Sequence, residues 1–203
     1  MLKAMLARAR EVRAAELEGE EAAEAGFTLI ELMVVLLILA ILMAIAIPTF
    51  LGVTSGANDR AAQSNLTNAL TEATAIYQAN QQTFTGLTTQ DMGSSASEFS
   101  WTQGSCTNKT TNCMSYAVYN TATAGDGDTL VLADYSQTGK CWYAVVNEVT
   151  PVSGVSGALT SGPTTAGTNY SWQTAPSGGC TATDPSATSW TWYPSYGAAK
   201  SSQ

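Results

Sequence analysis

The chain has 203 residues, of which only 12% are charged, and its formal net charge is −8. This length suits one compact domain, alone or with an appended segment. The acidic balance argues against a nucleic-acid-binding surface, which requires clustered Lys and Arg side chains. The sequence contains no histidine, which argues against histidine-based catalytic triads and removes the commonest metal ligand.

Residues 1–26 form a hydrophilic segment with a basic start, followed by acidic side chains. The basic residues are Lys3, Arg8, Arg10 and Arg13, and the acidic ones are Glu11, Glu16, Glu18, Glu20, Glu21 and Glu24. Because no apolar core precedes Gly26, this segment differs from a secretory signal peptide. Lys and Arg near a membrane span tend to remain in the cytoplasm, which predicts a cytoplasmic N-terminus.

An apolar run follows and ends at Leu51, and residues 32–47 include no polar side chain. At ~1.5 Å per residue, residues 27–51 are long enough to cross ~30 Å of hydrocarbon. Glu31 is the misfit, because an ionised carboxylate at membrane depth is costly and needs a partner. Apart from the cations of residues 1–26, the nearest basic residue is Arg60. Glu31 therefore lies at the membrane interface, or its partner is not a neighbouring side chain of this chain.

The hexapeptide 26–31 (Gly-Phe-Thr-Leu-Ile-Glu), followed by an apolar run with Pro48, resembles the start of type IV pilins and type II secretion pseudopilins. The resemblance implies that a membrane prepilin peptidase cuts between Gly26 and Phe27 and that the freed amine is N-methylated. It also implies that Glu31 pairs with that amine on a neighbouring subunit during assembly. A proline at this place accompanies a helix segment that loosens within the filament.

Each of these residues also has a simpler interpretation. Glu31 can belong to an ordinary signal anchor, with its carboxylate snorkelling to the lipid headgroups. Pro48 can simply end or kink a helix, because proline removes a backbone donor. The sequence also departs from many relatives, which carry Lys or Arg before the glycine, whereas Glu24 and Ala25 precede Gly26 here.

Residues 52–82 are polar but periodic, which predicts the amphipathic half of a helix that runs from about Phe27 to about Asn80. The apolar stripe consists of Leu66, Ala69, Leu70, Ala73, Ile76 and Tyr77, and the opposite face holds Gln63, Asn68, Thr71, Glu72 and Gln78. Core packing against a globular head, residues 83–203, explains the stripe better than a cofactor site does.

Three segments enriched in β-branched and aromatic residues predict strands at 115–120, 129–135 and 141–148. Turn sequences at 125–128 and 137–140 predict hairpins between them and hence an antiparallel meander at about 115–148. We expect residues 82–103 to be a loop that links the helix to the sheet, because Gly and Ser interrupt them.

Residues 150–203 are rich in Gly, Ser, Thr and Pro, but their scattered aromatic residues argue against disorder. We expect an irregular, ordered region with short strands near 170–173 and 189–193. The predicted fold class is therefore α+β, with a long N-terminal helix packed on a small antiparallel sheet. An irregular, disulfide-linked C-terminal region completes it.

The four cysteines, Cys106, Cys113, Cys141 and Cys180, indicate disulfides in an exported protein. Three connectivities are possible, and we predict Cys106–Cys113 and Cys141–Cys180; the second resembles the C-terminal disulfide loop of many pilins. The cysteine spacing does not favour zinc, since no CxxC is present.

Asp126, Asp128 and Asp134 are the candidates for calcium, which some pseudopilins hold in a loop after the helix. A hairpin turn explains the first two equally well. We expect neither a metal nor a cofactor.

The sequence thus predicts a structural filament subunit rather than an enzyme. Its expected partners are other copies of itself, the prepilin peptidase, the inner-membrane assembly machinery and the membrane, with no evident nucleic-acid surface. It would reside in the cytoplasmic membrane and then in an extracellular filament or the periplasm. Adhesion, motility and DNA uptake are all compatible tasks.

A type II secretion pseudopilin or a minor pilin is the nearest alternative to that interpretation. A membrane-tethered extracellular binding module is an alternative of another class, and an envelope enzyme is a third.

Overall fold

The computed structural model of the chain describes residues 26–109, 112–123, 126–152, 154–186 and 190–201. The predicted leader, apart from Gly26, lies outside these residues. The chain divides into two compact units, of which the first ends at Leu51 and the second begins at Gly52. We call the second unit the C-terminal domain.

Helix α1 spans Leu29–Ala79, which confirms the predicted long helix. Its residues up to Leu51 belong to the first unit, and its residues from Gly52 belong to the C-terminal domain. The helix ends where Gln81 and Gln82 adopt left-handed backbone angles, with φ of 54° and 60°. A residue in the left-handed conformation cannot continue a right-handed helix, so α1 terminates here. The Gln82 amide donates to the Tyr77 carbonyl at 3.0 Å, which satisfies one carbonyl of the last turn.

The predicted apolar stripe of α1 is one wall of the domain core. Ala62, Leu66, Ala69, Ala73 and Tyr77 are buried at spacings of three and four residues, so they share one face of the helix. They form a cluster with apolar side chains of the sheet, and the partly buried Leu70 and Ile76 pack against that cluster. The alanines leave room for the helix backbone to approach the sheet.

The sheet has five strands in the order β1-β2-β3-β4-β5. The strands are β1 Ser100–Thr102, β2 Cys113–Tyr119, β3 Thr129–Tyr135, β4 Lys140–Asn147 and β5 Gly167–Thr174. The three predicted strands are present as β2, β3 and β4, joined as antiparallel neighbours. The expectation of a purely antiparallel sheet was wrong in one respect, because β1 pairs with β2 in parallel.

Both faces of the sheet are covered, so the central strands lack the usual alternation of buried and exposed side chains. Leu130 and Leu132 of β3 join the cluster that contains α1. Val131 and Ala133, on the other face, join a second cluster in which Trp190 of the C-terminal region packs. The irregular C-terminal region is therefore a third layer of the domain.

Two sequence-based expectations about secondary structure were wrong. Residues 82–103 are not simply a loop, because they contain β1 and a short helix, α2, at Thr89–Ser95. The strand expected at 189–193 is absent from the described part of that range, where Tyr193 forms only an isolated bridge to Tyr170. Instead, a 3-10 turn spans Asp184–Ser186 and a short helix, α3, spans Tyr196–Ser201.

The structure contains the disulfides Cys106–Cys113 and Cys141–Cys180, which are the pairs that the sequence analysis predicts. The two bridges are adjacent, because the Cys106 amide donates to the Cys180 carbonyl at 2.7 Å and the Cys180 amide donates back at 3.0 Å. Together they attach the third layer to β4 and to the start of β2.

We predict that the two disulfides differ in their contribution to stability. Cys141–Cys180 joins residues separated by 39 positions, and Cys106–Cys113 joins residues separated by 7. Because a longer closed loop removes more conformational entropy from the unfolded chain, the first disulfide should stabilise the fold by ~4 kcal/mol and the second by ~2 kcal/mol. Urea unfolding should therefore give a larger loss for the Cys141→Ala/Cys180→Ala pair than for Cys106→Ala/Cys113→Ala. Equal losses would contradict this assignment.

Candidate assembly site

Glu31 is held at the start of α1 by the residue that precedes the helix. Its Oε2 accepts hydrogen bonds from the Thr28 hydroxyl at 2.7 Å and from the Thr28 amide at 2.8 Å. The Glu31 amide donates back to Thr28 Oγ1 at 3.3 Å. This reciprocal pattern is a capping box, which satisfies backbone donors that have no partner inside the helix. All its atoms lie after the Gly26–Phe27 bond, so cleavage there leaves it intact.

The capping box determines which part of the Glu31 carboxylate is available to a partner. Both of its hydrogen bonds from Thr28 go to Oε2, and a carboxylate offers about four acceptor positions on two oxygens. Oε1 can therefore accept a hydrogen bond from a cation without displacing Thr28. The first turn of a helix also favours a negative charge through the helix dipole.

The apolar side chains around Glu31 are exposed. No residue from Gly26 to Val53 is buried by the rest of the chain, and Phe27 retains 90% of its accessible surface. By length and composition, α1 is the one helix among the described residues that is able to cross a membrane. An apolar surface of this extent is unfavourable in water and requires lipid or protein to cover it.

Pro48 lies inside α1 and does not end the helix, so the simpler interpretation of this residue as a helix end was wrong. Proline cannot donate to the carbonyl one turn earlier. The Thr49 hydroxyl donates to the Ile45 carbonyl at 2.6 Å and to the Ala46 carbonyl at 3.1 Å. Gly52 and Gly56 follow, and glycine lowers helix propensity by ~1 kcal/mol. The helix is therefore intrinsically weakest just after the apolar run.

The structure does not bring the three calcium candidates together. The Asp126 carboxylate accepts from the backbone amides of residues 121, 122 and 123 at 2.6–2.8 Å, so it caps a turn. Asp128 precedes β3, whereas Asp134 lies near the other end of that strand. Within the described ranges, no group of three His, Cys, Asp or Glu side chains is suited to a metal ion.

Asp134 instead connects the sheet to α1. It is buried, and its Oδ2 accepts a hydrogen bond from Asn65 Nδ2 at 3.0 Å. Burial raises the pKa of Asp134 to about 6, although the hydrogen bond from Asn65 favours the ionised form. Because the pKa of Asp134 is higher in the folded state than in the unfolded state, the contribution of this one group to stability is greatest at low pH and is lost as the pH rises through its folded pKa.

We predict that Asp134→Asn removes this loss of stability and keeps the contact with Asn65. Between about pH 4 and 6 the unfolded chain loses its proton first, which costs the wild type up to ~3 kcal/mol at pH 7. Urea unfolding at pH 4 and pH 7 should therefore give a smaller difference between the two pH values in the variant. Exposed Glu98→Gln is the control, and a pH difference equal to that of the wild type would contradict the assignment.

The comparisons with known proteins identify the segment that contains Glu31. A family model, the prokaryotic N-terminal methylation motif, matches residues 22–47. This match supports the resemblance of the N-terminal segment to type IV pilins and pseudopilins. No curated protein and no solved structure matched the chain, so the C-terminal domain is described from its own geometry.

The capping role of Thr28 in this pilin-like segment was missed by sequence reasoning, although its signal is visible. Thr28 and Glu31 have the spacing of the capping-box pattern, Ser or Thr followed three residues later by Glu or Gln. The family motif directs attention to the charge of Glu31, whereas the structure adds that Thr28 fixes its orientation.

We predict that Thr28→Val loosens the first turn of α1, because valine retains the shape of threonine but not its hydroxyl. Losing an N-cap of this kind costs ~1 kcal/mol, which corresponds to about fivefold faster opening of the first turn. Amide hydrogen exchange of Glu31 and Leu32, whose amides donate to Thr28, measured on the processed pilin-like protein in micelles, tests this. Thr28→Ser retains the hydroxyl and should exchange like the wild type, and equal exchange in all three proteins would refute the role.

Proposed function

We propose that this chain is a structural subunit of a type IV pilus-like filament. It is assembled from the cytoplasmic membrane after cleavage by a prepilin peptidase. The observation that supports this best is the exposed apolar part of α1, with the single carboxylate of Glu31 in its first turn. The methylation motif over residues 22–47 supports the same interpretation.

Before assembly, the apolar residues from Phe27 to Leu51 lie in the membrane. Glu31 is near the cytoplasmic surface, because the basic residues of the leader keep the N-terminus inside. Cleavage after Gly26 creates an α-amine on Phe27, and N-methylation leaves it able to carry a positive charge. Processing thus produces the cation that Glu31 lacks among the side chains near it in sequence.

During assembly, the amine of Phe27 on one subunit pairs with Glu31 of its neighbour. The apolar surfaces of the helices then exchange lipid for equally apolar neighbouring helices, so little apolar surface meets water. Burying either charge alone costs several kcal/mol, and pairing removes much of that cost. Repetition of such an unclosed contact gives an open filament.

The C-terminal domain is expected to form the water-facing part of the filament. Its partners in this proposal are copies of itself and the inner-membrane machinery that processes and assembles it. Adhesion, motility and DNA uptake all remain compatible tasks. A type II secretion pseudopilin or a minor pilin is the closest alternative, since both share the processing motif.

Mass spectrometry of the native protein tests the processing step. The proposal predicts an N-terminal peptide that begins with N-methylated Phe27, in the fraction sheared from cells as well as in the membrane. A functional form that retains the intact Met1 leader would contradict it.

Glu31→Gln tests the assembly step, because glutamine keeps the size of the side chain and the Thr28 contacts but removes the charge. Leaving the neighbouring amine unpaired in an apolar core costs several kcal/mol, so the sheared filament yield should fall at least about tenfold. The matched control is Glu72→Gln, in the part of α1 that belongs to the C-terminal domain. A membrane-tethered binding module would tolerate both changes, and normal filaments with Gln at position 31 would exclude the proposed pairing.

A further inference from the structure

The C-terminal domain has two ends that are defined by α1 and β3 together. At one, the Asp59 end, Asp59 accepts hydrogen bonds from Ser136 and Thr138 of the β3–β4 turn. At the other, the Tyr77 end, the Tyr77 hydroxyl donates to Asp128 at 3.4 Å, just before β3. Asp59 and Tyr77 are ~27 Å apart along α1, and the β3 segment between Asp128 and Ser136 has a similar length, ~26 Å.

Four carboxylates lie at the Tyr77 end. Asp126 and Asp128 precede β3, and the Glu148 amide donates to the Asp128 carbonyl at 3.0 Å. Asp91 lines a cleft of about 590 Å³ beside the last turn of α1. Burial and the neighbouring Asp128 carboxylate both raise the pKa of Glu148. Burial and Asp126 likewise raise the pKa of Asp128, so negative charges repel one another at this end.

The basic side chains that the structure describes in this domain lie at the Asp59 end. Lys140 forms an ion pair with Asp59 at 3.3 Å and lies 4.2 Å from the centre of the Trp172 ring, so its charge is used within the domain. Arg60 is exposed on α1 beside Asp59. Lys109 is exposed and lines a cavity of about 100 Å³ with Ser136 and with Asn58 and Asn65 of α1.

Most acidic residues at the Asp59 end have partners within the domain. Asp59 is matched by Lys140 and by two hydroxyl donors, and Asp134 is buried. Glu98 is the exposed carboxylate there, because Asn112 lines the same cavity as Lys109 and donates to the Glu98 carbonyl at 3.3 Å. Half-exposed Asp184, on the other face of the sheet at this end, accepts from the Tyr143 hydroxyl at 2.6 Å. The exposed groups at this end are therefore Arg60 and Lys109 against Glu98, whereas the Tyr77 end has acids alone among the described side chains.

We infer that the acidic Tyr77 end of one C-terminal domain docks against Arg60 and Lys109 of a second copy of this chain. The inference rests on the proposed function, because an open filament repeats a contact between two different surfaces of identical subunits. Opposite charges on those surfaces set the axial order of the subunits, since like-charged ends placed together would repel each other. The occupant of the acidic end is thus the same chain rather than a metal ion.

Glu148 is the acidic residue best suited to receive the cation. Asp126 accepts backbone amides, Asp128 accepts the Tyr77 hydroxyl, and Asp91 belongs to the capping box of α2. Among the described contacts, the Glu148 carboxylate accepts no hydrogen bond, and its side chain is half-exposed. Arg60 is the better partner for adjacent carboxylates because the guanidinium presents several donors in one plane, and Lys109 provides a second point charge.

The test is a charge exchange in the full-length chain, expressed in the organism that makes it. Glu148→Lys places like charges against Arg60 and Lys109 of the neighbour, and the sheared filament yield should fall about tenfold, equivalent to ~1.4 kcal/mol per contact. The domain itself should unfold in urea at the same concentration or a higher one, because the new lysine relieves the repulsion at Asp128. A folding defect is thereby separated from a docking defect.

The matched control is Glu98→Lys, which changes the net charge equally but at the end that presents Arg60 and Lys109, so it should maintain or raise the filament yield instead of lowering it. Adding Arg60→Glu or Lys109→Glu to Glu148→Lys should restore most of the yield and identify the partner. Normal filaments with Glu148→Lys alone, or rescue by neither reversal, would overturn the docking inference. Failure of the wild type to form filaments would instead overturn the proposed function.

Discussion

A single carboxylate at the start of an apolar helix constrains the rest of this protein. Thr28 fixes the orientation of Glu31 through hydrogen bonds to one carboxylate oxygen, Oε2. The apolar side chains around Glu31 are not buried by the rest of the chain. A charge in such surroundings persists only with a partner. In our proposal, proteolytic processing creates that partner on another copy. The charge then becomes a condition for assembly, because an unprocessed subunit has no N-terminal amine at Phe27 to offer.

Helix α1 contributes two kinds of surface with different sequence rules. Up to Leu51, the apolar residues occupy every side of the helix, as expected of a segment surrounded by lipid or by other helices. From Gly52 the same helix becomes amphipathic, and its buried stripe packs on a sheet covered on both faces. The change occurs where Pro48 and the two following glycines lower helix propensity, so the two surfaces adjoin at the weakest part of the helix.

The parts of the fold that depend on local pattern were predictable from the sequence. The 3.6-residue period of Leu66, Ala69, Ala73 and Tyr77 predicted the packed half of α1, and β-branched and aromatic residues predicted β2, β3 and β4. Helix α2 was missed because its seven residues include glycine and serine, although Thr88 and Asp91 carry a capping signal. The three-residue β1 is held by parallel pairing with β2, which no local pattern predicts.

The polar contacts of Asp134 and of the two ends of the C-terminal domain were less predictable, because they join residues that are distant in the chain. By sequence, Asp134 is a calcium candidate. Its actual partner, Asn65, comes from a helix 69 residues earlier. The ends of the C-terminal domain likewise acquire their charge only when α1, β3 and the loops around them are assembled. By contrast, the Thr28–Glu31 capping box is local, and its sequence signal was legible.

The most direct measurement of the central claim is a cryo-EM structure of the native filament that resolves the N-terminal residues. The account predicts that the methylated nitrogen of Phe27 in one subunit lies within about 4 Å of a Glu31 carboxylate oxygen in a neighbour. A separation greater than about 8 Å, with Glu31 facing solvent, would contradict it, because charges at that distance in water are largely screened.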